Sequence, residues 1–278
     1  MLEPLRPNPS FFGLFSATAI GFTAVVLFGR PGEFVRPYLI ARRENVPVPS
    51  QIAAWFLERI YDVLLIFAIL GFALTRVVAH GERVGPRIQW VLSVGGWVTG
   101  ICGSLCILLL LYLHRHCDTL EHRLVRAFGF LQAHHHEKLT GLIRTGIDGL
   151  RCVGSVSAVF RLVLYSILEW VIIIACYVAL FRAFPETSGR GLADVMVLLG
   201  FVAFGSIVQI PGVGGGVQLV AALVLTELFH LPLEVATSFA LMLWILSFIV
   251  IVPFGLVFAF HEGLGFKKLL QIEKDAAL

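Results

Sequence analysis

Long apolar stretches separated by short polar ones run the length of the chain. Seven stand out, at about 11–29, 52–79, 90–113, 153–181, 194–210, 217–231 and 235–260. An apolar stretch of about 18 residues or more can cross a bilayer as a helix. In hydrocarbon every backbone N–H and C=O needs an internal partner, and stretches this long meet that need as helices rather than barrel strands. The pattern predicts an all-α, polytopic integral membrane bundle, with residues 1–278 as a single transmembrane domain. Segments 194–210 and 217–231 are short for a full crossing, which takes ~20 residues, and Pro211-Gly212-Val213-Gly214-Gly215-Gly216 breaks the run between them. Two tight crossings and a re-entrant hairpin both fit. A short pair interrupted by Gly and Pro is the sequence pointer to a transporter binding site. A faint internal repeat accompanies it. Pro49-x-x-x-Ala53 leads into 52–79 after a Pro/Gly break, and Pro232-x-x-x-Ala236 leads into 235–260 after another.

One long polar segment interrupts this plan. In 114–151, Leu120, Leu124, Phe128, Leu131, Leu139, Leu142, Ile147 and Leu150 recur at roughly helical spacing among Arg123, Arg126, Lys138 and Arg144. That pattern suits an amphipathic segment lying at the interface, with a solvated linker as the alternative. Composition agrees with a membrane class. The chain is 58% hydrophobic and 14% charged, where soluble domains carry about 25% charged residues. A net charge of +3 is too small to point to nucleic acid. Residues 11–29 lack a small-x-small site before Arg30, so they are expected to be a retained span rather than a cleaved signal.

Orientation follows from lysine and arginine. The loop 30–51 holds four, 114–151 six and the C-terminal tail three, against six on the opposite side (Arg6, Arg76, Arg83, Arg87, Arg182, Arg190). This count sets the 30–51 loop, 114–151 and the C-terminus in the cytoplasm, with the start of the chain outside, in a plasma or inner membrane.

Charge inside the apolar segments marks the candidate chemistry, because an ionisable group at bilayer depth is costly and seeks a partner or a wet cavity. Glu58 and Asp62 share a helix face one turn apart, and Arg59 lies three before Asp62. Two readings stand: a structural ion-pair knot, or a cavity wall that meets a charged headgroup. A guanidinium suits the second, since its planar fork grips phosphate or carboxylate with two hydrogen bonds. Glu33 and Arg36 follow a Pro-Gly break where a helix start would face an anion. Arg161 and Glu169 lie two turns apart in 153–181, and Glu227 lies in 217–231. The glycines of 212–216 let backbone and substrate come close. The five cysteines form no C-x-x-C pair, and consecutive His134, His135 and His136 point in different directions on a helix, so no metal site or cofactor is expected. No nucleophile–base pair, H-E-x-x-H or Walker sequence occurs, so the chain is not expected to be an enzyme.

These motifs, in this order, resemble the flippase-like membrane domain of the lysyl-phosphatidylglycerol synthase family. Gly29-Arg30-Pro31-Gly32-Glu33-x-x-Arg36 is similar to its G/R-x-G-E-x-x-R element, Glu58-Arg59-x-x-Asp62 to its E-R-x-x-D helix, and Ile210-Pro211-Gly212-Val213-Gly214-Gly215 to its I-P-G-G-x-G element. The resemblance covers nearly the whole chain. It departs where the family usually has Glu after the I-P-G glycines, here Gln218, and often has Arg in the next helix, here Trp244. Members usually carry a further hydrophobic helix ahead of the first segment, which leaves room for a chain that starts late. Nothing resembles the soluble aminoacyl-transferase domain of some relatives. The resemblance implies movement of a membrane lipid between leaflets, with an anionic, aminoacylated or glycosylated headgroup. The substrate-binding residues would be Glu33, Arg36, Glu58, Arg59, Asp62, Glu169, Pro211, Gly212, Gly214 and Gln218. A non-transporting accessory protein of a lipid-modifying or glycosyl-transferring system is the rival expectation.

Overall fold

A computed structural model of the chain describes residues 9–79, 97, 100–110, 112, 126, 140–142, 144–147, 156–206, 209–210, 212 and 214–263. Most of the expected amphipathic segment, much of 90–113, the histidine run and the basic tail lie outside these residues. The described chain is a helical membrane bundle. Its main elements are α1 (Phe11–Phe28), α2 (Val35–Glu44), α3 (Val48–Ala79), α4 (Gly100–Leu110), α5 (Val156–Ala183), α6 (Leu192–Gly205), α7 (Gly216–Glu227) and α8 (Leu233–His261). Among the described residues, α1, α5 over Val159–Ala183, and α8 are long and apolar enough to cross a membrane. Contacts divide the chain into two compact units. One holds residues 1–61, 107–164 and 251–278, and the other 62–106 and 165–250.

In the first unit the N-terminal segment folds back on itself. Ser10 caps α1, its Oγ accepting from the Gly13 amide at 3.2 Å. Gly29 ends α1 at φ 76°, and Pro31 opens a 3-10 turn, Arg30–Phe34, that leads into α2. The return leg runs antiparallel to α1, as four approaches in descending order show. Gly32 lies against Ala24, the Arg36 backbone against Gly21, Arg43 donates to the Gly13 carbonyl, and the Ser10 amide donates to Glu44. Val35, Leu39 and Ile40 bury themselves on Ala17, Ile20 and Ala24. Glycine is needed at two of these approaches. A Cβ on Gly21 would sit 2.6 Å from that of Arg36, and one on Gly32 2.4 Å from the Ala24 carbonyl carbon. Asn45 ends α2 in the left-handed region at φ 52°, with the Val46 amide returning to the Ala41 carbonyl at 3.0 Å.

This corrects the expectation of a 30–51 loop. Arg36, Arg42 and Arg43 made the stretch look solvated, but the apolar residues between them form one face of α2, and that face packs on α1. The extra leg also changes the parity of the chain. The end of α8 reaches the start of α1: Ser16 Oγ donates to Glu262 Oε1 at 2.8 Å, and Arg43 pairs with Glu262 and donates to Ser16. Counting charge set the start of the chain and its C-terminus on opposite faces; the structure sets the start of α1 and the end of α8 together. Farther along the same crossing, Thr23 Oγ1 donates to the Ile251 carbonyl at 3.0 Å. Gly255 admits the approach, since a Cβ there would lie 1.9 Å from Thr23 Oγ1. Small residues bring apolar helices into close contact where lipid gives no hydrophobic drive.

In the second unit, α6 and α7 pack around a core of Phe181, Leu198, Leu225 and Phe239. Phe181 meets Phe239 edge to face, with centroids 5.3 Å apart. Buried Thr187 ties the loop after α5 by donating to the Phe181 carbonyl at 2.8 Å. Arg190 donates to the Phe229 carbonyl at 2.7 Å and lies over the Phe229 ring, 4.4 Å from its centroid. At 14 and 12 residues, α6 and α7 are each shorter than the ~30 Å of a bilayer core at 1.5 Å per residue. The Gly/Pro break between them is a small antiparallel ladder, with Gln209 opposite Gly215 and Ile210 opposite Gly214.

Candidate functional site

The candidate site in the first unit is built where α2 passes α3. Arg36 opens α2 and Glu58 lies on α3. Both helices start from the packing just described, which fixes Arg36 beside Gly21. That glycine lies near the middle of the 18-residue α1, a helix ~27 Å long at 1.5 Å per residue. Charge is therefore held far from either end of an apolar helix. Arg36 Nη1 donates to Glu58 Oε1 at 2.7 Å, and Arg59 Nη2 approaches the same oxygen at 3.4 Å. Two guanidiniums thus converge on one carboxylate oxygen. The trio is only partly covered: Arg36 and Glu58 side chains are 26% and 24% exposed and Arg59 38%. A partly open cluster of this kind can exchange one anion for another, whereas a fully buried one cannot. Phe34, ahead of α2, and Trp55 of α3 meet with ring centroids 5.4 Å apart.

The residues singled out from sequence separate into groups. Arg36, Glu58 and Arg59 come together. Glu33 does not join them through Arg36, its neighbour by spacing; it pairs with Arg30 at 2.5 Å in the 3-10 turn. Asp62 follows one turn later on α3, is buried at 6% exposure, and belongs to the second unit. Glu169 stands on an exposed stretch of α5 between Leu168 and Trp170. Gly212 turns the 209–215 hairpin at φ 72°, Gly214 pairs in its ladder, and Pro211 lies outside the described residues. Gln218 acts locally, its Oε1 accepting from the Gly215 amide at 2.7 Å, which caps α7. Glu227, at the end of α7, is exposed.

Sequence reasoning passed over Arg43, Glu44, Ser16 and Glu262. Ser16 and Glu44 are buried at 1% and 3% exposure. Glu44 Oε1 accepts from the Ser10 amide at 3.2 Å, and Arg43 bridges Gly13, Ser16 and Glu262. Their partners lie 27 to 246 residues away, so no local spacing could have linked them. Arg43 and Glu44, read as a charged loop, were the available signal: a charge pair directly ahead of an Asn-x-Pro helix stop.

Comparison with known proteins agrees with this architecture. Residues 1–255 match the family model described as the lysylphosphatidylglycerol synthase TM region. A protein of Haloferax volcanii named glycosyltransferase AglD is 28% identical over 235 residues, covering 74% of this chain and 36% of that relative. The chain thus matches about a third of the length of that longer protein. No solved structure matches. A family match over nearly the whole chain, on a multi-pass bundle that pairs the second arginine of its Gly-x-x-Gly-Glu-x-x-Arg element with the glutamate of its Glu-Arg helix, places this protein in the lysylphosphatidylglycerol synthase TM region family.

Proposed function

We propose that the protein moves a phosphate-bearing lipid headgroup between leaflets, with Arg36 and Arg59 as the headgroup contacts and Glu58 holding both in place. One observation carries this reading: two guanidiniums meet on a single carboxylate oxygen, partly open, where α2 passes α3 beside the middle of apolar α1. Holding charge there is expensive, and a phosphate between two arginines is the anion such a site fits. Lipid tails stay in the bilayer, so only the headgroup must be desolvated. The chain acts as a transporter and not as a catalyst. Arg42 and Arg43 lie at the shared end of α1, α2 and α8, and Lys267, Lys268 and Lys274 follow α8 in the sequence, against Arg30 at the hairpin tip. By the positive-inside rule that shared end faces the cytoplasm.

Leaflet exchange of labelled phospholipids in proteoliposomes tests the reading. Wild type should exchange lipid faster than protein-free vesicles, and Arg59→Ala should lose most of that gain, about tenfold in rate for ~1.4 kcal/mol of lost headgroup binding. Equal rates in wild type and Arg59→Ala would remove Arg59 from the path. The glycosyltransferase name of the longer relative favours a second reading, a membrane partner of a glycosyl-transferring system. No exchange by folded protein, with a stoichiometric partner on purification, would support that one.

A further inference from the structure

We infer that Glu58 is a built-in stand-in for the substrate anion, and that the site is selective for a phosphodiester headgroup carrying net negative charge. This rests on the reading of Arg36–Glu58–Arg59 as the headgroup site. The geometry is that of an occupied anion site. Arg36 Nη1 at 2.7 Å and Arg59 Nη2 at 3.4 Å reach the same Oε1, as two arginines reach one phosphate oxygen. The occupant is a side chain of the protein itself. Its grip is uneven: the Arg36 bond is at full hydrogen-bond contact, while the Arg59 approach is long and Arg59 is the most exposed of the three at 38%. Arg59 is therefore the guanidinium an incoming oxygen meets first, and Arg36 the one Glu58 keeps longest.

Two consequences follow from charge. First, an incoming anion competes with Glu58 for the same donors and is repelled by it, so Glu58 weakens binding and speeds release. Transport needs binding that is reversible; a site of two bare guanidiniums would hold a phosphate too long. Second, a headgroup whose own cation neutralises its phosphate gains less from displacing Glu58 than one with a bare negative charge. The α6–α7 stretch, residues 195–226, holds no Asp, Glu, Lys or Arg. Selection therefore falls on the first hairpin.

The test is binding to purified full-length protein in detergent, followed by leaflet exchange. The probes are dihexanoyl phosphatidylglycerol (anionic), dihexanoyl phosphatidylcholine (zwitterionic, same tails) and glycerophosphoglycerol (the same phosphodiester anion without acyl chains). Wild type is expected to bind phosphatidylglycerol more tightly than phosphatidylcholine. Glu58→Gln should tighten phosphatidylglycerol binding by about tenfold and slow its exchange. Arg36→Gln and Arg59→Gln should both weaken binding. Glu58→Asp, which keeps the charge but draws it back by one methylene, should tighten binding by about threefold and serves if the Gln variant does not fold. Binding that is weaker or unchanged in Glu58→Gln and Glu58→Asp, with the arginine variants still impaired, overturns the stand-in role and leaves the headgroup site standing. Equal or tighter binding of phosphatidylcholine overturns the selectivity. Binding of none of the probes overturns the site itself, and with it this inference. Glycerophosphoglycerol binding as well as phosphatidylglycerol would make free phosphodiesters the ligand and would overturn the lipid assignment.

Discussion

Two stretches of the molecule share a plan and differ in charge. Residues 11–79 run from a helix of 18 residues through a Gly/Pro turn to a helix of 10, then across Pro47 and Pro49 into a helix of 32. Residues 192–261 run from a helix of 14 through a Gly/Pro turn to one of 12, then across Pro232 into a helix of 29. The faint Pro-x-x-x-Ala repeat marks the same point in both, the entry to the long helix. Each hairpin closes on glycine: Gly32 against Ala24 in the first, Gly205 against the Gly216 carbonyl in the second. Yet the first carries Arg30, Glu33, Arg36, Arg43 and Glu44, while residues 195–226 hold no Asp, Glu, Lys or Arg at all. A broken hairpin of short helices is therefore a backbone device, indifferent to charge. What makes the first a candidate headgroup site is the set of side chains laid on it. Internal repeats with short, interrupted helices are common in transporter folds, and here the two stretches differ in the charge they carry.

The largest way to break the comparison is at its common feature. A Cβ on Gly32 would meet the Ala24 carbonyl carbon at 2.4 Å, and one on Gly205 the Gly216 oxygen at 2.5 Å. In both cases the obstacle is backbone, which cannot turn aside as a side chain can. Gly32→Val and Gly205→Val should each cost about 3 kcal/mol, the upper end for overpacking. Thermal melting in detergent checks this, and similar losses in the two would confirm that the hairpins are mechanically alike. A loss at Gly32 alone would end the parallel.

Charge should then separate them. Arg36→Gln leaves the Glu58 carboxylate with a weaker donor between α2 and α3. A fully buried pair broken on one side costs about 3–5 kcal/mol; here about a quarter of each side chain is exposed, so ~2 kcal/mol is expected. The double variant Arg36→Gln/Glu58→Gln should be milder than the sum of its singles by ~1 kcal/mol, the sign of direct coupling. Additive losses would show that the two side chains do not depend on each other. Glu262→Gln tests the other end of the same unit, where Arg43 and Ser16 both hold this carboxylate. The Gln amide keeps one acceptor, so ~1 kcal/mol is expected from the lost charge.

The helices were legible in the sequence because hydrophobic length is a strong signal. The segment at 11–29 became Phe11–Phe28, and 235–260 became Leu233–His261. The return leg was not legible. Residues 35–44 alternate Val35, Leu39 and Ile40 with Arg36, Arg42 and Arg43, and a segment this charged reads as a loop when its neighbours are wholly apolar. Only the tertiary contact with Gly21 and Ala17 makes its apolar face a buried one. Missing one leg inverted the parity of everything before it, which is why charge counting separated ends that Glu262 joins. At the site, spacing along α3 links Glu58, Arg59 and Asp62; the structure brings Glu58 and Arg59 together and sets Asp62 in the second unit. Spacing could not show that Glu58 meets Arg36, 22 residues away, or that Glu33 turns to Arg30.

The smallest effect sharpens the comparison most. Gln218 caps α7 through the Gly215 amide, its Oε1 accepting at 2.7 Å. Gly215 has φ 127°, in the region that favours glycine. Gln218→Ala removes the acceptor and should cost ~1 kcal/mol, the usual worth of a cap. Gln218→Glu keeps the acceptor and adds a negative charge at the helix N-terminus, which should gain about 0.3–1 kcal/mol through the helix dipole. Melting temperatures of the three proteins should therefore fall in the order Glu, Gln, Ala. The same Glu variant asks a second question, because it puts a carboxylate into the uncharged hairpin. If leaflet exchange then extends to a cationic headgroup such as lysyl-phosphatidylglycerol, the neutral cap is what keeps the second hairpin out of headgroup selection. If the variant is more stable but no headgroup gains, the cap is structural alone, and selection rests wholly on Arg36, Glu58 and Arg59.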